Sequence, residues 1–171
     1  SAATSTSSDV PRLAQLITGI AADKNEAKVT LTRVADRPGA VAAIFGPLAA
    51  ANINVDMIIQ VVSDDQKSTD LTFTVVTADF ERAKSILAQH KAAIGYDHLQ
   101  GATDVVKISA IGVGMRSHAG IAARAFKALA DKGINIRAIT TSEIKFSVLI
   151  DKDYTELAVR TLHSLYGLDK G

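Results

Sequence analysis

The sequence predicts an α+β chain built from two copies of one βαββαβ module, the first inserted in the second. Three observations carry that prediction. Shifting the 171-residue chain by 81 positions lays Gly39 on Gly120, Phe45 on Phe126, Leu48 on Leu129, Ile53 on Ile134 and Asn54 on Asn135. A second block matches at an offset of 73, with Phe73, Val75 and Val76 on Phe146, Val148 and Leu149, so the first copy carries eight extra residues between its blocks. Within each copy the apolar pattern switches between the two-residue period of strands and the 3.6-residue period of helices. The repeat is too long for a solenoid unit, whose period runs from about 20 to 50 residues, so each copy is a small domain with its own core.

The elements follow in order. Lys28-Val29-Thr30-Leu31-Thr32-Arg33-Val34 alternates like a strand with one covered face, and Asp36-Arg37-Pro38-Gly39 stops it. Val41, Ile44, Phe45 and Leu48 recur at helical spacing. Pro47, which has no N–H to donate, is expected to kink or thin that helix. Asn52-Ile53-Asn54 ends it, and β-branched strands at 55–62 and 70–76 flank the polar hairpin loop 63–69. A helix from Asp79, its expected N-cap, to about Ile94 and a closing strand over 96–100 complete the first copy. The order is that of the ferredoxin-like split unit.

The second copy repeats it with a strand at 105–111, a helix at 119–132, hairpin strands at 136–142 and 144–150, and a helix at 154–166, but no closing strand follows. An apolar segment, Leu16-Ile17-Thr18-Gly19-Ile20-Ala21, stands before the first copy without a partner. Counting strands assigns it to the second sheet. The expected domains are therefore a disordered tail at 1–14, a first module at 23–101, and a discontinuous second module of 15–22 with 102–171.

Composition excludes several functions. A net charge of +1 lacks the concentrated basic excess of nucleic-acid-binding domains. The absence of cysteine removes thiol chemistry and disulfides and fits the cytoplasm. No run reaches the roughly 18 apolar residues of a membrane span, and the Ser/Thr/Ala-rich start has no signal-peptide core. His90, His98, His118 and His163 lack the spacing of a metal site, and Gly112-Val113-Gly114-Met115-Arg116-Ser117 matches neither a dinucleotide fingerprint nor a P-loop. Each copy is near the size at which a lone domain is marginal, so packing of the copies on each other or on a second chain is expected.

Two equivalent strand-to-helix loops remain, Asp36-Arg37-Pro38-Gly39 and Ser117-His118-Ala119-Gly120. Unpaired N–H groups at a helix start hold a carboxylate, and a nearby Asp pairs with an ammonium, which together match the two ends of an amino acid. Asp36 and Ser117 serve equally well as plain helix caps, with the glycines as turn residues. Asn54 and Asn135, at matching module edges, reach towards a ligand held by a facing module or are left-handed turn residues. Gln60, Ser142 and Glu143 are polar hairpin residues facing solvent or ligand.

At these residues the chain resembles the paired ACT domains of the aspartate kinase family. Asp36-Arg37-Pro38-Gly39, Asn52-Ile53-Asn54-Val55-Asp56-Met57-Ile58, Thr69-Asp70-Leu71-Thr72-Phe73-Thr74, Gly114-Met115-Arg116-Ser117-His118-Ala119-Gly120 and the 141–150 run beginning Thr141-Ser142-Glu143-Ile144 carry the likeness, which extends over about 17–168. The Ser-Glu-Ile run with the Met-Arg-Ser-His loop is its most specific part. The resemblance implies a regulatory module that binds lysine, threonine or both and feedback-inhibits aspartyl phosphate formation in lysine and threonine biosynthesis. It implies a dimer through ACT modules, with effectors where the first module of one chain meets the second module of another. By position, Asp36, Pro38, Gly39, Ala40, Val41, Asp56 and Gln60 form one side of that site. Met115, Ser117, Ala122, Asn135, Ile136, Ser142 and Glu143 form the other. It further implies a catalytic aspartate kinase partner, to which ATP and magnesium belong, and no catalysis by this chain. Rival readings are an ACT sensor of another metabolic enzyme, a ferredoxin-like RNA-binding or assembly module, and an acylphosphatase-type hydrolase using Arg37 and Asn54.

Overall fold

The computed structural model describes residues 16–113 and 119–169. The expected tail at 1–14 and most of the 114–120 loop lie outside the described residues. In chain order the elements are β1 (Ile17–Asp23), β2 (Ala27–Ala35), α1 (Ala40–Ala50), β3 (Val55–Val62), β4 (Ser68–Val75), α2 (Phe80–Gln89), α3 (Lys91–Ile94), β5 (His98–Ala102), β6 (Val105–Gly112), α4 (Ala119–Asp131), β7 (Ala138–Thr141), β8 (Lys145–Asp151) and α5 (Thr155–Leu165). Single 3-10 turns, Thr77–Asp79 and Lys152–Tyr154, lead into α2 and α5. The chain divides into two compact units, one spanning Asn25–Val105 and one joining residues up to Lys24 with those from Val106 on.

In the first unit the strands run β3-β4-β2-β5, every neighbour antiparallel. Val29, Leu31 and Val34 of β2 and Leu71, Phe73 and Val75 of β4 form one covered face, against Ile44 and Leu48 of α1 and Ala83 and Leu87 of α2. The alternation that predicts β2 breaks once. Arg33 takes φ +53, the register with β4 shifts between Leu31 and Val34, and the Arg33 N–H donates to the Asp70 carboxylate at 2.9 Å. β3 carries a similar bulge, with Met57 at φ +49 and its N–H donating to Asp56 Oδ1 at 2.9 Å. Both bulges put a side chain in the left-handed region, and the local hydrogen bond to a carboxylate offsets that cost.

Several local expectations are corrected. α1 continues through Pro47 without a break. The proline removes one backbone bond, but burial of Ile44 and Leu48 on the same helix outweighs it. Asp79 does not cap α2 with its side chain, because its carboxylate pairs with Arg82 at 3.0 Å. The single helix expected from 79 to 94 is two, parted at His90, whose ring Nδ1 bonds the Ile86 carbonyl at 2.9 Å. The closing strand starts two residues later than the pattern indicates, since Tyr96 turns inward and its hydroxyl donates to the Leu87 carbonyl at 3.0 Å.

In the second unit the order is β1-β6-β8-β7. β1 pairs antiparallel with β6 from Ile17 opposite Gly112 to Asp23 opposite Lys107. Thus β1 holds, beside β6, the edge position that β5 holds beside β2. The repeat persists in the packing. Phe45 meets Phe73 edge to face at 5.2 Å between ring centres, and Phe126 meets Phe146 in the same manner at 5.9 Å. α1 and α4 end in one motif, with Ile53 N–H on Leu48 O and Asn52 N–H on Ala49 O in the first, and Ile134 N–H on Leu129 O and Gly133 N–H on Ala130 O in the second. Each needs a left-handed residue, Asn52 at φ +63 and Gly133 at φ +74, and each seats the following isoleucine on the core. The left-handed asparagine is therefore Asn52 rather than Asn54.

Tyr166 closes the second core, buried and donating its hydroxyl to the Ile121 carbonyl at 2.7 Å. Burial holds its pKa well above the ordinary tyrosine value, opposed by the Arg124 charge. A folded pKa raised above the unfolded one gives stability that is whole below about pH 10 and declines as pH rises further. The melting temperature of the second unit is expected to fall above that pH, and a Tyr166→Phe variant, which has no phenol to ionise there, flattens that part of the profile.

Candidate functional site

The loop after β2 is tied to its surroundings at two places and closed on itself once. Asp36 N–H donates to the Lys67 carbonyl of the β3–β4 hairpin at 3.1 Å, Ala40 N–H to the Arg37 carbonyl at 3.1 Å, and Arg37 Nη2 to the Ala93 carbonyl at the end of α3 at 2.6 Å. Gly39, at φ +89, is the N-cap residue of α1 and provides no side-chain cap, so Asp36 is not the cap of that helix. Asp36 is exposed and precedes the first residue of that helix by four positions. Pro38 and Gly39 are exposed, Ala40 is buried, and Val41 is 41% exposed at the first turn. A carboxylate next to a helix start, with apolar Val41 beside it, offers an ammonium partner and a carboxylate partner within one loop.

Asp56 and Gln60 lie on β3, both exposed. Asp56 stands opposite Thr74, whereas the Asp36 loop adjoins Lys67 and β4 begins at Ser68. Six strand residues separate those ends, a span of about 20 Å at 3.3 Å per residue. One unit therefore does not bring Asp36 and Asp56 to a common ligand. β3 is an edge strand, and Ile58, Val61 and Val62 on it are exposed at 50%, 63% and 46%.

In the second unit Asn135 is exposed before β7, and Ile136 and Ala122 are partly buried against the core. The Ser142 hydroxyl is occupied by the β7–β8 turn, donating to the Lys145 carbonyl at 3.3 Å and accepting from the Ile144 and Lys145 N–H groups. This turn moves the facing strand ends back by one residue each, β7 ending at Thr141 and β8 starting at Lys145. Glu143 is exposed at its tip. Met115 and Ser117 lie outside the described residues.

Two rival chemistries fail on geometry. The Arg37 guanidinium is committed to Ala93, and Asn54 precedes β3 at the far end of the sheet, so the pair forms no acylphosphatase anion site. An RNA-binding sheet needs exposed aromatics on its central strands, but Phe73 and Phe146 are buried in both. Among the described residues no cluster of three or more His, Asp and Glu suits a metal ion, and no helix is long and apolar enough to cross a membrane. A shallow cleft of about 490 Å³ between Arg33 and the hairpin residues Ser63, Asp64, Asp65 and Ser68 is polar. Asp65 there is held below its ordinary pKa by the Ser63 hydroxyl first and the Lys67 N–H second.

The ACT domain family matches residues 28–95 and again residues 108–166. The chain is 37% identical to the regulatory subunit of aspartate kinase from Thermus thermophilus, whose ligand-free crystal structure it matches with a TM-score of 0.82 over 88% of this chain and 98% of that one. The chain belongs to the aspartokinase family. It corresponds to the regulatory part of aspartokinase, with two ACT domains on two four-stranded antiparallel sheets. A crystal structure of aspartokinase alpha and beta subunits contains a chain 48% identical to it, with a TM-score of 0.82 over 88% of this chain and 99% of that one. The aspartokinase of Pseudomonas aeruginosa is 52% identical over 154 residues, 90% of this chain but 37% of that protein. The chain thus spans somewhat over a third of the length of the full aspartokinases that it matches.

Proposed function

We propose that this chain is the effector-sensing region of an aspartokinase, binding lysine, threonine or both and passing feedback inhibition to a catalytic aspartokinase subunit or domain. The observation that carries the reading is the separation of Asp36 from Asp56 along one sheet whose edge strand β3 has β4 as its one strand neighbour among the described residues and exposes Ile58, Val61 and Val62. An exposed apolar strand edge is a template on which another strand can pair. Pairing of β3 with an edge strand of the second module of another chain sets the first module's loop and strand residues beside that second module. The site then forms only in the dimer, with Pro38, Gly39, Ala40, Val41 and Gln60 on one side. Ala122, Asn135, Ile136, Ser142 and Glu143, with Met115 and Ser117, come from second modules.

The first ACT domain, 23–101, is on this reading an insertion in a discontinuous second domain of 15–22 with 102–171. The edge position of β1 beside β6 supports it. The partnership with a catalytic subunit is supported by likeness to the alpha and beta subunit structure. An effector bound between chains stabilises one association geometry, and its coupling to the catalytic part is about 1–3 kcal/mol. It inhibits only by binding the inhibited state more tightly than the active one.

Calorimetric titration of the chain with lysine and threonine, separately and together, with aspartate and methionine as controls, tests the reading. Saturable binding of lysine or threonine is the expected result, and Asp36→Ala weakens it by about tenfold or more by removing the ammonium's partner while leaving the melting temperature near that of the parent. Equal affinity in Asp36→Ala removes Asp36 from the site, and binding of neither amino acid refutes the sensor.

A further inference from the structure

Residues 93–97 form a strap fastened along the end of β2 and the loop that follows it. Asp97 N–H donates to the Thr32 carbonyl at 2.9 Å, Ala35 N–H to the Gly95 carbonyl at 3.2 Å, and Arg33 Nη1 reaches the Asp97 carboxylate at 3.5 Å. The fourth fastening is the bond from Arg37 Nη2 to the Ala93 carbonyl at 2.6 Å. Only this last one reaches past the strand into the Asp36–Gly39 loop itself. Ala93 lies in the final turn of α3, where carbonyls have no partner within the helix and a cationic donor is favoured.

We infer that Arg37 is a positioning residue: it ties the effector loop to the strap so that Asp36 and the N–H groups opening α1 are held ready for a ligand, without touching the ligand itself. The inference rests on the proposed effector site. Its physical basis is the loop's make-up. Gly39 sits in the left-handed region, and the Asp36 and Arg37 side chains are exposed, so no burial restrains the turn. Beside the backbone bonds from Asp36 N–H to Lys67 and from Ala40 N–H to the Arg37 carbonyl, the Arg37 side chain ties the loop to the strap. The hairpin holds the Asp36 N–H, the turn closes on itself through Ala40 N–H on the Arg37 carbonyl, and the strap holds the Arg37 side chain. Freed from the strap, the loop samples arrangements in which Asp36 faces away from the helix start. Apparent affinity falls in proportion to the fraction of time spent in the competent arrangement, so a loop competent one-tenth of the time binds about tenfold more weakly.

The strap continues into β5, the strand next to β2 on its outer side. Arg37 thus joins the loop that meets the effector to an edge strand of the same sheet. A guanidinium is suited to this task because it stays charged and its planar fork keeps its direction, whereas a lysine ammonium on a flexible stem reaches the same carbonyl with less restraint.

The test compares the parent chain with Arg37→Ala, Arg37→Lys, Asp36→Ala and the double variant Asp36→Ala/Arg37→Ala. Lysine and threonine affinities are read by calorimetry, and amide exchange is followed at Asp36 and Ala40. Arg37→Ala is expected to bind about tenfold more weakly with a melting temperature close to the parent's, and to exchange faster at both amides. Arg37→Lys recovers most of the affinity, and the double variant binds little worse than Asp36→Ala alone. Unchanged affinity in Arg37→Ala, with or without a lowered melting temperature, overturns the inference while leaving the sensor reading in place. Full additivity in the double variant overturns it as well, because a group acting through Asp36 has little left to contribute once Asp36 is gone. A parent chain that binds neither amino acid overturns both readings together.

Discussion

Cutting the chain after Asp23 is expected to unfold the second unit and leave the first folded. β1 supplies an edge strand whose register with β6 runs from Ile17 to Asp23, and Ile17 is almost fully buried in the second core. Losing that burial costs about 2–3 kcal/mol, and each lost ladder bond adds about 0.5–1.5 kcal/mol. Against a typical domain stability of about 5–15 kcal/mol, the sum removes most of what holds a small unit together. The backbones are close where β1 begins, for a Cβ placed on Gly112 would overlap the Leu16 carbonyl, so no other strand substitutes for β1 without rearrangement. Hydrogen exchange on the truncated chain checks this. Protection is expected to vanish at Ile108, Ala110 and Val148 and to persist at Val29, Leu31 and Phe73. Full protection across β6 and β8 after truncation means that β1 is an accessory strand and that the second sheet stands on three.

The strand count that led to β1 shows what was legible in the sequence and why. Repeat offsets and periodicity located eight strands and their helices because one buried face imposes a period that composition alone records. Boundaries erred where a side chain overrode the pattern. Tyr96 turned inward and delayed β5, the Ser142 hydroxyl closed a turn early, and His90 split one predicted helix in two. The bulges at Arg33 and Met57 were invisible because neither residue is a glycine; Arg33 is held by Asp70, 37 positions away, and Met57 by the carboxylate of its neighbour Asp56.

The candidate site was legible in part for a different reason. The Asp36 loop stood out through its match at the same place in both copies, a signal of geometry rather than of chemistry. The anchoring of Arg37 to Ala93 joins residues 56 positions apart, and only the fold puts them together. Asp56 was assigned to the site through family likeness, and its distance from Asp36 within one unit turns that assignment into a statement about assembly. If the proposed site is divided between the two ends of one sheet it requires a second module, and effector affinity is then expected to depend on protein concentration wherever the proposed dimer dissociates.

Phe73→Ala and Phe146→Ala are expected to be the most damaging single substitutions, each in its own unit. Both rings are buried, at 0% and 1% exposure, and each stacks edge to face on a helix phenylalanine at the equivalent place, Phe45 on α1 and Phe126 on α4. Truncating a buried phenylalanine costs about 3–5 kcal/mol, including the lost aromatic pair. For units of this size that corresponds to a fall of about 15 °C or more in the melting transition. Scanning calorimetry, with exchange to identify which unit melts, is expected to assign the lowered transition to Asn25–Val105 for Phe73→Ala and to the other unit for Phe146→Ala. The functional consequence differs as well. Phe73 packs on Phe45 of α1, which opens with Ala40 and Val41 after Gly39, so its loss loosens the proposed effector loop below the melting point, whereas Phe146 packs on Phe126 of α4 and lies beside the β7–β8 turn at Ser142. If the effector site draws on both modules, each substitution weakens binding at a temperature where the chain remains folded. If Phe146→Ala leaves affinity unchanged while lowering its own transition, the ligand is held by first modules alone.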